Sequence, residues 1–201
     1  MMTIKNSLLA LVAVLSFSVF FEASAALPET PSQQPATKAV RQSALTKILR
    51  AAKDVSWIAE GNGPRLIYIF FDPNCPYCHK LYQESRTWVS RDGLQLRWIP
   101  VGILMPSSAG KAVAILEAKD PLAAFRENED KFGSAPKFGG IAETSPSLAT
   151  GKRLQQNTML FKQTGMPGVP VILFREASGS VRIVEGTPSP RLLDEMWRSV
   201  R

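Results

Sequence analysis

The feature that most constrains this chain is a strand that stops abruptly and hands over to a helix opening on a cysteine. RLIYIFF (Arg65–Phe71) is short, aromatic and β-branched, and reads as a buried strand. DPN ends it, because proline cannot donate to a ladder and Asp and Asn favour turns. CPYCHKLYQESRTWVS (75–90) then reads as a helix that stops near Gly93, and LQLRWIPV (94–101) as the next strand. Two strands joined through a helix pair in parallel, so these segments predict a βαβ unit.

The remaining elements extend that unit. Val40, Ala44, Leu45, Ile48, Leu49, Ala52, Val55 and Ile58 recur at helical spacing over 37–58, with Gly61 as a stop. This amphipathic face must pack on its own domain or on another copy of the chain, which leaves a homo-oligomer through the helix open. Helical patches follow at 108–119, 121–132 and 145–164. VILFR (171–175), the turn ASGS and VRIVEG (181–186) predict an antiparallel pair, and a last helix starts at Pro190. A βαβ unit, helices inserted over about 105–165, then ββα gives an α/β class of thioredoxin-like topology. There is no internal repeat.

The start of the chain has a different character. Lys5, an apolar run over 8–21 and Ala23-Ser24-Ala25 form the pattern of a cleaved secretory signal. The run is shorter than the roughly 20 residues a spanning helix needs. No cysteine follows the cleavage site to carry a lipid. The expected division is a signal peptide at 1–25, a proline-rich lead-in with the amphipathic linker helix at 26–60, and a catalytic domain at 61–201. Cleavage leaves 176 of the 201 residues, ample for one core. The net charge of +7 is unchanged by it, since Lys5 and Glu22 cancel. The basic residues are scattered among acids rather than clustered with aromatics, so no nucleic-acid partner is expected.

Export bears on the two cysteines, Cys75 and Cys78, and on the single histidine, His79. Outside the cytoplasm a disulfide persists. As a staple so short a loop adds only about 2 kcal/mol, and a chain of this size does not need it. Redox work explains the pair better. A cysteine attacks a disulfide as thiolate, and Cys75 stands where a helix begins, facing unpaired N–H groups and the positive end of the dipole. Pro76 suits the first helical turn, where its missing donor costs nothing. The dipole gives ~0.3–1 kcal/mol, whereas lowering a thiol by two pKa units takes ~2.7 kcal/mol, so hydrogen bonds to the sulfur must supply the rest. Cys78 shares the same helix face one turn deeper, so Cys75 attacks and Cys78 resolves. Pro76, Tyr77 and His79 are the candidates for tuning. His79 lies four residues after Cys75 and either approaches its sulfur or sits exposed without effect. Asp72 reads as a turn or capping residue, with proton transfer as the alternative.

A second signal lies far away, in GMPGVPVILF. Pro170 directly before a buried strand is explained by a cis Val169–Pro170 bond. In a thioredoxin-like fold this loop faces Cys75 and offers the Val169 backbone to an extended client.

IFFDPNCPYCHKLYQESRTWVS, LRWIPVGILMPSSAGKAVAILEAKDP and the late GVP resemble the catalytic domain of periplasmic thiol–disulfide interchange proteins of the DsbC/DsbG type, on the DsbG side, from about Trp57 to the C-terminus. The resemblance implies Cys75 as nucleophile, Cys78 as resolving cysteine and Pro170 as the cis-proline. It implies isomerisation or reduction of misoxidised, unfolded or thiol-oxidised exported proteins in the periplasm, with a membrane thiol reductase of the DsbD kind as partner. Two departures stand out. Family members carry a folded dimerisation domain before a linker helix, where about forty mature residues precede the first strand here. Before the cis-proline those isomerases have threonine and this chain has Val169, whose lack of a hydroxyl would shift the balance toward thiol oxidation.

Two other readings remain on sequence alone. Cys75-x-x-Cys78-His79 meets the c-type haem pattern, with His79 and a methionine such as Met166 as axial ligands, although burial between two hydrophobic strands argues against it. Zinc would lack a fourth ligand. Neither metal nor cofactor is expected. In the non-enzymatic reading the 37–58 helix and the insertion form a holdase, and Cys75→Ala would then keep full activity toward clients.

Overall fold

The computed structural model describes residues 33–89, 93–133 and 138–201. The expected signal segment at 1–25 lies outside the described residues. A five-stranded mixed sheet in the order β1-β3-β2-β4-β5 carries the fold. β2 (Arg65–Phe71), α2 (Pro76–Val89) and β3 (Leu94–Pro100) form the parallel βαβ unit, in register from Arg65↔Leu94 to Phe71↔Pro100. β4 (Val171–Arg175) runs antiparallel to β2, and β5 (Val181–Glu185) antiparallel to β4. The inserted helices are α3 (Ser108–Glu117), α4 (Pro121–Asp130) and α5 (Leu148–Gln163), and α6 (Pro190–Ser199) closes the chain.

The N-terminal helix departs from expectation at both ends. α1 spans Gln33–Ala51, so it starts inside the proline-rich lead-in. It stops well short of Ile58, because Lys53 and Asp54 donate to the carbonyls three residues back and tighten the last turn. Ile58–Glu60 is instead β1, an edge strand antiparallel to β3, with Ile58 and Glu60 both facing inward. A three-residue strand whose apolar residue happens to continue a helical period is invisible to periodicity. Leu45, Ile48, Leu49 and Ala52 are buried in the chain's own core, while Val40 and Ala44 lie exposed. The C-terminal half of the apolar stripe is thus buried within the domain. Gln42 fastens it further by exchanging both amide hydrogen bonds with the backbone of Val181, at 2.9 and 3.0 Å.

Phe125 of α4 joins the insertion to the sheet. Its ring lies 5.0 Å from Phe71 and from Trp98, and 5.5 Å from Tyr82 of α2. Beside this cluster Glu60 is fully buried and held by Arg86 through both oxygens, by Arg126 at 3.2 Å and by the Trp98 indole at 3.1 Å. Burial pushes the Glu60 carboxyl up, but these partners, Arg86 foremost, outweigh it and hold it below the ordinary range. Asp120, Ser147 and Ser189 cap α4, α5 and α6.

Candidate active site

Cys75 is the N-cap residue of α2: its amide donates to the Asp72 carbonyl and its own carbonyl accepts the first helical bond, from His79. Its sulfur takes the place a capping hydroxyl would occupy, accepting the Cys78 amide at 3.3 Å. Pro76 follows as the first helical residue. Both cysteines are buried. The hydrogen bond from the Cys78 thiol does most to hold the Cys75 thiol below its ordinary value. Burial opposes it, the amides of Cys78 and Tyr77 add to it, and the Asp72 charge pulls the other way. The Cys78 thiol is pushed far up by burial first, then by its bond and charge interaction with Cys75. Two thiols one turn apart therefore differ strongly in acidity.

Val169–Pro170 is cis, and the Val169 carbonyl accepts the Cys75 thiol at 3.4 Å. Among the described residues the Val169 amide donates to no protein acceptor. The loop expected to face Cys75 from 94 residues away does so, and it brings one occupied and one open backbone group.

His79 is turned away from Cys75. Its Nδ1 lies 3.2 Å from Glu129 Oε2 and its ring stacks on Phe132 at 4.5 Å. Of the tuning candidates, Pro76 and the Tyr77 amide lie at the sulfur's end of the helix, whereas the Tyr77 ring projects outward. Glu129 is buried, and burial raises its carboxyl above the usual range despite hydrogen bonds with His79 and Asn128. It adds to the upward push on Cys78.

Asp72 anchors the turn before Cys75 by accepting four hydrogen bonds. Oδ1 accepts the Asn74 amide at 2.9 Å and the Ser108 hydroxyl at 2.7 Å, and Oδ2 accepts the amides of Ile103 and Leu104 at 2.8 and 3.0 Å. Asn74 reaches Ser107, Ser108 and the buried Lys111, whose ammonium also donates to the Gly139 carbonyl at 2.6 Å. Asn74, Ser108, Lys111 and Glu129 were not singled out in the sequence. Their positions carried a weak signal: Glu129 continues the Leu122 and Phe125 stripe, and Ser108 and Lys111 fall on the face of Ala112 and Ile115. Among the described residues no group of three or more His, Cys, Asp or Glu side chains is arranged to hold a metal ion.

A dithiol N-capping a helix after the central strand, opposed by a cis-proline loop, defines the chain as a thioredoxin-fold dithiol domain. The thioredoxin-like domain family model matches residues 53–201, and the chain belongs to that family. It is 33% identical over 167 residues to the thiol:disulfide interchange protein DsbG of Pseudomonas aeruginosa, covering 82% of this chain and 64% of that protein. With DsbG of Escherichia coli it shares 31% over 140 residues, 69% of this chain and 55% of that one. The chain thus spans less than two thirds of the length of these relatives. Among solved structures, a linker-deletion mutant of Proteus mirabilis ScsC superposes with a TM-score of 0.61 at 18% identity, over 83% of this chain and 87% of that one. The thiol-disulfide exchange protein alpha-DsbA2 of Wolbachia pipientis gives 0.61 at 13%, over 81% and 97%. These structural likenesses establish the fold. No helix among the described residues is long and apolar enough to cross a membrane.

Proposed function

We propose that this chain is an exported thiol–disulfide oxidoreductase acting on protein substrates in the periplasm, with Cys75 as nucleophile and Cys78 as resolving cysteine. The observation that carries the reading is the geometry of the pair: Cys75 caps the helix with its sulfur accepting the Cys78 amide and facing the cis Val169–Pro170 loop, and Cys78 lies buried one turn behind it. The Cys75 thiolate attacks a client disulfide; the client S–S bond breaks, a Cys75–client disulfide forms, and the departing client thiolate takes a proton from solvent. A second client thiolate that attacks the mixed disulfide regenerates Cys75 with no net electron transfer, which is isomerisation. Otherwise Cys78 loses its proton and attacks the Cys75 sulfur, the client leaves reduced by two electrons, and a Cys75–Cys78 disulfide remains. A membrane thiol reductase of the DsbD kind then restores the dithiol. Val169 and Pro170 are the client-binding residues, through the open Val169 amide. We read residues 1–25 as the signal, the stretch through α1 as a linker docked on the catalytic domain, and the remainder as catalytic.

The lack of a side-chain hydroxyl at Val169 favours a second reading, net thiol oxidation, in which the Cys75–Cys78 disulfide is the resting form. Replacing Cys78 by alanine tests the shared core of both: mixed disulfides with clients accumulate on Cys75 and dissolve in dithiothreitol. Failure to trap any client or model peptide through Cys75 sinks the proposal, and the redox state of the wild-type pair in its own compartment separates reductant from oxidant.

A further inference from the structure

The sequence scatters its cations, but the fold gathers a set of them at one end of the sheet. α1 and the two residues after it carry Lys38, Arg41, Lys47, Arg50 and Lys53 and no acid. Lys47 and Arg50 face the β4–β5 turn across an open hollow of about 540 Å³, lined on its far side by Ser178, Gly179 and Ser180. Lys53 and Arg175 stand beside a second hollow of about 220 Å³, with Leu49, Leu66 and Tyr68 among its walls. The Arg175 guanidinium donates to the Gly179 carbonyl at 2.6 Å, which ties the two hollows together. Among the described residues Lys47, Arg50, Lys53 and Arg175 form no ion pair. The acids adjoining them in the chain are Asp54 and Glu176, and Glu176 is taken by Arg182 at 3.2 Å. Four cations therefore meet one carboxylate that no cation holds.

This end lies opposite the reactive one. Cys75 follows β2 beyond Phe71, whereas Leu66 and the Arg175 end of β4 mark where β2 begins. The strand between Leu66 and Phe71 is about 17 Å long. The basic end is also poorly built for an extended polypeptide. β5 is the edge strand there, and Gln42 already occupies both backbone groups of Val181 where β5 starts, which closes that edge to an added strand. The cations instead project separately, on long apolar stems, from a helix and a hairpin around two hollows. That arrangement matches an array of small, laterally mobile anions better than one chain. A layer of anionic headgroups is such an array, and each cation brought to it adds to binding. We infer that the end of the domain carrying Lys47, Arg50, Lys53 and Arg175 docks on an anionic phospholipid surface and leaves Cys75 facing away from it. The inference stands apart from the redox chemistry and says where the domain works.

The test is sedimentation of the mature chain with vesicles of phosphatidylcholine, alone or mixed with phosphatidylglycerol. The mixed vesicles carry the chain down and the neutral ones do not. Raising the ionic strength from about 0.1 to 1 M, which shortens screening from ~10 to ~3 Å, releases it. Each cation removed costs about fivefold in partitioning, so the triple variant Lys47→Gln, Arg50→Gln, Lys53→Gln binds roughly a hundredfold more weakly. The triple variant Lys119→Gln, Lys152→Gln, Lys162→Gln removes the same charge from exposed positions elsewhere and costs under about fivefold in all. Equal losses in the two variants would credit net charge alone and overturn the inference, as would equal sedimentation of the wild type with both vesicles. Release by inorganic phosphate but not by chloride of equal ionic strength would assign the hollows to a free anion. Retention on immobilised polyglutamate with no response to vesicles would assign them to an acidic protein; either result overturns the lipid assignment. On the mixed vesicles iodoacetamide alkylates Cys75 within about twofold of its free rate, because the cysteine lies beyond the ~10 Å screening length. A cysteine shielded by the vesicles would put the opposite end on the membrane and refute the orientation.

Discussion

The Cys78 thiol supplies the largest single contribution holding Cys75 down, ahead of both backbone amides, and this can be isolated with two substitutions. Cys78→Ala deletes the donor, whereas Cys78→Ser keeps an O–H in nearly the same place. A hydrogen bond to a charged acceptor is worth ~1.5–3 kcal/mol, and each ~1.4 kcal/mol is a factor of ten in an equilibrium constant. At a pH where Cys75 is mostly protonated, Cys78→Ala therefore cuts the thiolate population roughly ten- to hundred-fold. Burial amplifies the loss, since the sulfur has little water to replace the missing donor. The amides of Cys78 and Tyr77 remain, so Cys75 stays more acidic than an unperturbed thiol. The pH dependence of iodoacetamide alkylation, checked by ultraviolet thiolate absorbance, reads this directly. Cys78→Ala moves the alkylation profile to higher pH and Cys78→Ser leaves it near wild type. An unmoved profile in Cys78→Ala would refute the assignment and credit the helix N-terminus alone. The result also bears on client trapping, which in the alanine variant should be run at a pH high enough to restore the thiolate.

Two buried carboxylates give opposite pH signatures. Glu60→Gln sets an amide N–H against the guanidinium of Arg86 and costs about 3 kcal/mol of folding stability in denaturant melts, the low end for a broken buried pair because Arg86 and Arg126 are partly exposed. The folded Glu60 carboxyl is held down, so its contribution is present above the unfolded value near ~4.3 and is lost as pH falls through the folded one; the variant shows less acid sensitivity there. The folded Glu129 carboxyl is raised, so its contribution is full below ~4.3 and is lost as pH rises through the folded value. Glu129→Gln flattens that decline, and by removing a negative charge beside Cys78 it lets the Cys78 thiol ionise at lower pH, seen as faster clearance of the mixed disulfide. A Glu129→Gln chain with an unchanged stability profile and slower clearance would contradict this account.

The parts of the fold that were legible in the sequence are those where one period covers a whole element. Strands such as Arg65–Phe71 and Val171–Arg175 are continuous apolar runs because both faces of the sheet are covered, and α3, α4 and α5 keep a helical stripe. Cys75 and Cys78 were legible because chemistry, not packing, dictates their spacing. Pro170 was legible because proline before a central strand breaks a rule that needs a local reason. β1 was missed because three residues cannot establish a period, and because Glu60 is a charge pointing inward. Its burial depends on Arg86, Arg126 and Trp98, residues 26 to 66 positions away that no local pattern connects to it. His79 needed the same distant information: the sequence left open whether it approaches the Cys75 sulfur or has no effect, and Glu129 and Phe132 of the insertion hold its ring.

The missed strand and the open reading of His79 share a cause that says something about the site. Each involves the insertion, which contributes Arg126 to Glu60, Glu129 to His79, and Ser108 and Lys111 to the turn before Cys75. A sheet with α2 alone would place Cys75 at a helix N-terminus, but that gives the dipole contribution and little more. Fixing the sulfur against the Cys78 amide requires the DPN turn to hold one conformation. Asp72 and Asn74 achieve that with bonds to residues 31 to 37 positions onward. The insertion is therefore part of the reactive centre in energetic terms, although the hydrogen bonds to the Cys75 sulfur come from Cys78 and Val169. Polar groups this deeply buried are costly unless every bond is made, so loosening the insertion at Lys111 or Gly139 should disturb Cys75 before it disturbs the sheet.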